Sequence, residues 1–151
     1  MKIATVLTAL SFLFGFQAQS EPITVAGMSP VHQGITYSKK DINAMIKREA
    51  MESPSPSNSR AYARTKIRDR QQFTCLGRLW GKESAWQHRA DNPYSSAYGI
   101  PQAMPGNKMK ASGKDWRTNP VTQIDWGFKY IKVRYGSPCQ AWSFFQKHHW
   151  Y

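Results

Sequence analysis

Four carboxyl side chains fall between residues 71 and 151: Glu83, Asp91, Asp115 and Asp125. Glu83 is the only glutamate after residue 52. Phe73, Leu76, Leu79, Trp80, Glu83 and Trp86 recur at helical spacing, which places the carboxyl on an apolar stripe. A carboxyl there loses hydration on folding, and its charged form is penalised. One that keeps its proton near neutral pH can act as a general acid. Spacing alone leaves a second reading open, a helix-end glutamate that reaches water or pairs with one of the many arginines. Most glycosidases place two carboxyl groups across the scissile bond. No second partner stands out here. Asp91 sits in a run of turn formers and is expected to cap or shape a loop, while Asp125 borders a core stripe and suits an ion pair. His148 and His149 are adjacent, and Cys75 and Cys139 lack zinc spacing. The chain also has no phosphate-binding loop, no Gly-x-Ser-x-Gly and no His-Glu-x-x-His. No metal and no cofactor are therefore expected. The six Trp and seven Tyr suit stacking on sugar faces as well as they suit a core. Trp80, Trp142 and Phe144 are assigned to the core, and Tyr98 and Trp116, near turns, to a cleft.

Helices must hold these groups in place. The Phe73–Trp86 stripe predicts one. Asn119-Pro120 opens a second, because Asn caps and Pro suits the first helical position. Val121, Ile124, Phe128, Ile131 and Tyr135 form its core stripe, and Gly136 and Pro138 end it. A last short helix is expected over 141–146. Between the two strong helices, 91–106 is rich in Asn, Pro, Ser and Gly and reads as irregular. Upstream, Ser38 can cap a short helix carrying Ile42, Met45 and Ile46 on one face. The alternating Ser and Pro of 53–59 reads as a linker, followed by a basic stretch expected to be linker or exposed helix. The predicted organisation is a signal peptide at 1–20, a basic segment with the Ser/Pro linker at 21–70, and one mainly α domain at 71–151.

The signal peptide rests on Met1-Lys2, an apolar run from Ile3 to Phe16, and small residues at 18 and 20, with cleavage expected after Ser20. The apolar run is short of the ~20 residues a membrane span needs. Export to a periplasm or the cell exterior, with no membrane attachment after cleavage, is the resulting expectation. In an oxidising compartment, Cys75 and Cys139 are expected to form a disulfide. Closing so long a loop is worth about 4 kcal/mol in the chain-entropy model. The net charge is +12, and the signal segment contributes only Lys2, which leaves +11. Such a charge favours polyanions. After export an anionic cell wall is the expected partner, with no nucleic acid, and the basic segment is a candidate tether to the wall or to a larger envelope machine. A monomer is expected. A non-catalytic, basic wall-binding or antimicrobial protein is the competing class.

The run Leu79-Trp80-Gly81-Lys82-Glu83-Ser84-Ala85-Trp86, then Asn92-Pro93 and Ser96 through Pro105, resembles soluble lytic transglycosylases. It is most similar to small bacterial transglycosylase-like domains that end in Trp-Tyr, as Trp150-Tyr151 does here. The family's Glu-Ser corresponds to Glu83-Ser84, and its Gly-x-x-Gln-x-Met to Gly99 through Met104. The resemblance covers roughly 71–151. It implies a lysozyme-like helical fold and a substrate of peptidoglycan glycan strands. Glu83 would be the acid/base, and Gln102 and Met104 would line the adjacent subsites, with Tyr98 and Ser84 in support. It also implies cleavage between N-acetylmuramic acid and N-acetylglucosamine with 1,6-anhydromuramoyl ends, the hydrolytic, lysozyme-type outcome being the alternative. The family's Tyr-Asn motif is missing. Ala141 through Gln146 stands where it would fall.

Overall fold

The computed structural model describes residues 36–151, and the predicted signal peptide lies outside them. Five α-helices make the frame: α1 (Lys39–Glu52), α2 (Pro56–Lys66), α3 (Arg70–Ser84), α4 (Pro120–Tyr135) and α5 (Pro138–His148). A 3-10 turn at Gly106–Ala111 sits in the long connection between α3 and α4. The expectation of a mainly α chain with one disulfide holds, and no strand forms among the described residues beyond isolated bridges at Asp91–Tyr98 and Tyr98–Ala103.

Local chemistry sets the helix starts. Ser38 and Asp41 form a reciprocal capping box on α1. Asp69 caps α3, Asn119 caps α4 ahead of Pro120, and Ser137 caps α5 ahead of Pro138. Pro138 thus opens α5 as well as following the end of α4, and the last helix starts earlier than the expected 141.

The Ser/Pro stretch is a correction. Pro breaks a helix interior but is tolerated in the first turn, where its missing N–H has no partner to lose. Pro56 occupies that position, and the Ser55 hydroxyl accepts from Asn58 N at 3.1 Å. The stretch is therefore a short turn feeding α2. Ala50 of α1 and Tyr62 and Ala63 of α2 are fully buried against Leu76, Leu79, Trp80, Ile124 and Ile131. Thr36–Tyr151 forms one compact unit, in which α1 and α2 share a core with the helices that follow.

The disulfide expected between Cys75 and Cys139 is present, with Cα atoms 4.9 Å apart, and joins the middle of α3 to the first turn of α5. At Gly127 the backbone of α4 approaches α3 closely. A Cβ there would lie 2.6 Å from the Trp80 ring. Trp80 in turn stacks edge-on with Phe128 and Trp86, at centroid distances of 5.6 and 5.2 Å.

Candidate active site

Glu83 occupies the last turn of α3. The predicted stripe is correct up to that point and then ends. Ala85 and Trp86 take left-handed backbone conformations (φ 51° and 66°) and turn the chain back. Trp86 is buried because of that reversal, not because it continues the helical face, and its indole N–H donates to Gly77 O at 3.3 Å. Glu83 is left half-buried at the edge of the reversal. Burial pushes its pKa up to about 7. The negative end of the α3 dipole works in the same direction. Among the described residues no hydrogen-bond donor or cation relieves it.

The other carboxyl groups on the domain are occupied or exposed. Asp115 accepts from Asn119 Nδ2 (2.6 Å) and Thr122 Oγ1 (2.8 Å), bonds that hold its pKa below the ordinary value. Asp125 accepts from Tyr62 Oη (2.9 Å) and Lys66 Nζ (3.1 Å). Asp91 is exposed and backbone-paired with Tyr98. Glu83 is thus the one half-buried carboxyl in the domain without a partner.

The residues expected beside it divide into two groups. Ser84 is buried, and its hydroxyl donates to Ile100 O at 2.9 Å, with Trp80 O at 3.3 Å. Gln102 has positive φ (48°), and its side-chain amide donates to Gly99 O (3.0 Å) and Ala90 O (3.2 Å). Ser84 thus ties the 85–103 loop to the end of α3, and Gln102 ties two points within that loop together. Met104 and Tyr98 are the more accessible pair. Met104 is largely exposed. Tyr98 packs edge-on against Trp116 at 5.5 Å and donates to Arg117 O at 3.0 Å. Tyr98 and Trp116 line a concavity of about 270 Å³ with Asp91, Ser96, Asn107 and Arg117. Trp116, expected only at a cleft, is also buried within a small second core with Ala103 and Met109.

Two positioning residues were not foreseen. Gln123 lies fully buried on α4. Its Oε1 accepts from Ile100 N (2.9 Å), and its Nε2 donates to His88 O and Trp116 O (both 2.8 Å). One side chain thus ties together three points of the irregular connection. Gly99 (φ 75°) is required beside it, since a Cβ there would lie 2.5 Å from Gln123 Oε1. A polar residue among Val121, Ile124 and Phe128 was the available signal.

The second is Tyr151. Its hydroxyl accepts from Trp80 Nε1 (2.8 Å) and donates to Pro101 O (3.0 Å). Burial raises its pKa well above the ordinary phenol value, and the nearby Glu83 charge adds to the rise. Tyr151 therefore joins α3, the loop and the end of the chain at the carboxyl. Tyr130 and Tyr135 flank its ring at centroid distances of 5.8 and 6.0 Å. No spacing rule connects it to Trp80 across 71 residues.

Among the described residues no cluster of His, Cys, Asp or Glu could hold a metal ion, and no helix is long and apolar enough to cross a membrane. No protein-family model matches the chain, and no curated protein or solved structure matches it.

Proposed function

We propose that the chain cleaves peptidoglycan glycan strands between N-acetylmuramic acid and N-acetylglucosamine, with Glu83 as the single acid/base, on a lysozyme-like helical domain. The observation that carries this reading is the unpartnered Glu83 carboxyl, with a pKa of about 7 and a site braced by Ser84, Gln123 and Tyr151. The resemblance of Glu83-Ser84 and Gly99 through Met104 to lytic transglycosylases supplies the substrate class.

A carboxyl titrating near neutrality can give and take the same proton within one turnover. Protonated Glu83 donates to the glycosidic oxygen as its bond to the muramoyl anomeric carbon breaks. The substrate's own 2-acetamido oxygen stabilises the developing oxocarbenium, so no second protein carboxylate is needed. Glu83, now a carboxylate, accepts the proton of the muramoyl 6-hydroxyl as that oxygen closes on the anomeric carbon. The product is a 1,6-anhydro end, and the carboxyl is restored to its acid form. Attack by water in the second half would give a reducing end. Met104 and Tyr98 supply accessible apolar surface for sugar faces.

The test is mass spectrometry of the soluble products from purified peptidoglycan, beside Glu83→Gln. Anhydromuropeptides that disappear in the variant are expected. Glu83-dependent reducing ends would make the chain a hydrolase on the same substrate. Wall binding without any soluble product would overturn the enzymatic reading.

A further inference from the structure

A concavity of about 690 Å³ is not lined by Glu83. It lies between the α2–α3 connection, the Asp125–Lys132 stretch of α4 and the start of α5, and its size is in the range of ligand sites. Ile67 and Phe128 give it an apolar floor over the buried Ile131. Two carboxylates face it, and both are already used. Asp69 caps α3 by accepting from Gln72 N (3.0 Å), and Asp125 is held by Tyr62 and Lys66. Lys66–Asp125 is the only ion pair among the described residues, so no carboxylate opposes Arg68, Lys129 or Lys132, which also line the groove. Lys129 and Lys132 stand three residues apart on α4, close enough to act together. The α5 N-terminus, at Ser137-Pro138, opens on the same groove and adds the positive end of its dipole.

We propose that this groove binds an acidic peptide segment of a partner protein. Its carboxylates would sit on Arg68, Lys129 and Lys132, and one apolar side chain would rest on Ile67 and Phe128. Charge complementarity selects an anion, and the apolar floor selects a peptide over a plain polyol phosphate such as poly(glycerol phosphate), which has no apolar side group to place there. The proposal does not depend on Glu83 and stands whether or not the chain cleaves glycan.

The test is a nuclear magnetic resonance titration of the isotope-labelled full chain with the synthetic peptide acetyl-Glu-Glu-Leu-Glu-Glu-amide. Amide shifts are expected to concentrate at 66–72, 128–132 and 136–137. The double variant Lys129→Gln/Lys132→Gln, its fold checked by an otherwise unchanged spectrum, is expected to bind about tenfold more weakly. Replacing the peptide's Leu by Ser is expected to weaken binding as well. Three results would each overturn the proposal. The double variant could bind unchanged. The Ser peptide could bind as tightly as the Leu peptide. Poly(glycerol phosphate) could shift the groove residues where the peptide does not, which would assign the groove to a wall or nucleic-acid-like polyanion.

Discussion

Glu83 and Asp125 begin from the same situation and end in opposite ones. Each carboxyl borders the apolar face of a long helix, α3 for one and α4 for the other. Asp125 is given two donors, Tyr62 and Lys66, and so fastens α2 to α4. Glu83 is given none among the described residues, and burial moves its pKa to about 7. Burying a polar group without a partner costs stability. The fold satisfies one carboxyl and leaves the other bare, and on the proposed function the second is the one that transfers a proton. The two sites call for opposite responses to mutation, and that contrast can be measured.

The largest effect is expected on turnover. Glu83→Gln keeps the shape and removes the proton, and should lower muralytic activity by about 10²–10⁴-fold or more. In the unmutated chain, activity should fall as pH rises through about 7, because the first step needs the protonated acid. A variant that retains most of its activity in a product assay would remove Glu83 from the mechanism.

Next comes the frame that places the carboxyl. Gln123→Leu fills the same volume but leaves Ile100 N, His88 O and Trp116 O without partners. A loss of about 3 kcal/mol in chemical denaturation is expected. A loss below about 1 kcal/mol would mean that the connection is held by something other than Gln123.

This frame marks the limit of what the residues disclose in advance. The α3 and α4 stripes were legible because helical packing repeats at a fixed period, and the Asn119-Pro120 and Ser38 starts because capping is local chemistry. Glu83 was legible as the exception within a repeat. The Ser/Pro turn was misread as a linker because Pro is judged differently at the first helical position and in a helix interior, and only the burial of Tyr62 and Ala63 distinguishes the two. Trp86 matched the stripe and is buried for another reason, a left-handed turn at Ala85 and Trp86 that carries no glycine to announce it. Tyr151 was invisible as a brace because its partners, Trp80 and Pro101, are distant in sequence. The contacts of Ser84 and Gln102 were invisible for a related cause. A motif marks which positions matter, and the hydrogen bonds to Ile100 O, Gly99 O and Ala90 O say that these two act on the loop.

The stability of Glu83→Gln should move opposite to its activity. A carboxyl whose folded pKa lies above its unfolded value is penalised in the native state once the unfolded chain can ionise. Below about pH 4.5 both states are protonated and the variant should match the parent. As pH rises from there through about 7, the parent should lose stability relative to the variant, reaching a gap of at most about 3 kcal/mol above pH 7, reduced by the water that still reaches the carboxyl. Denaturation series at pH 4 and pH 8 would show this, and equal gaps at both would mean that the carboxyl is not desolvated. Tyr151→Phe should follow with a loss of about 1 kcal/mol, as Trp80 Nε1 and Pro101 O lose their shared partner.

Asp125→Asn gives the smallest expected effect and completes the contrast. Asn can still accept from Tyr62 and Lys66, so the variant removes charge while keeping the geometry. The Lys66–Asp125 pair is well over a quarter exposed on each side, with relative side-chain exposures of 41% and 32%. Water screens such a pair, and a loss of at most ~1 kcal/mol is expected, smaller still at high salt. Turnover and its pH midpoint should not change, because Asp125 is committed to fastening α2 and not to a proton. If Asp125→Asn instead abolished activity with the fold intact, a second carboxylate would be at work. The single-acid mechanism drawn from Glu83 would then give way to one with paired carboxyl groups.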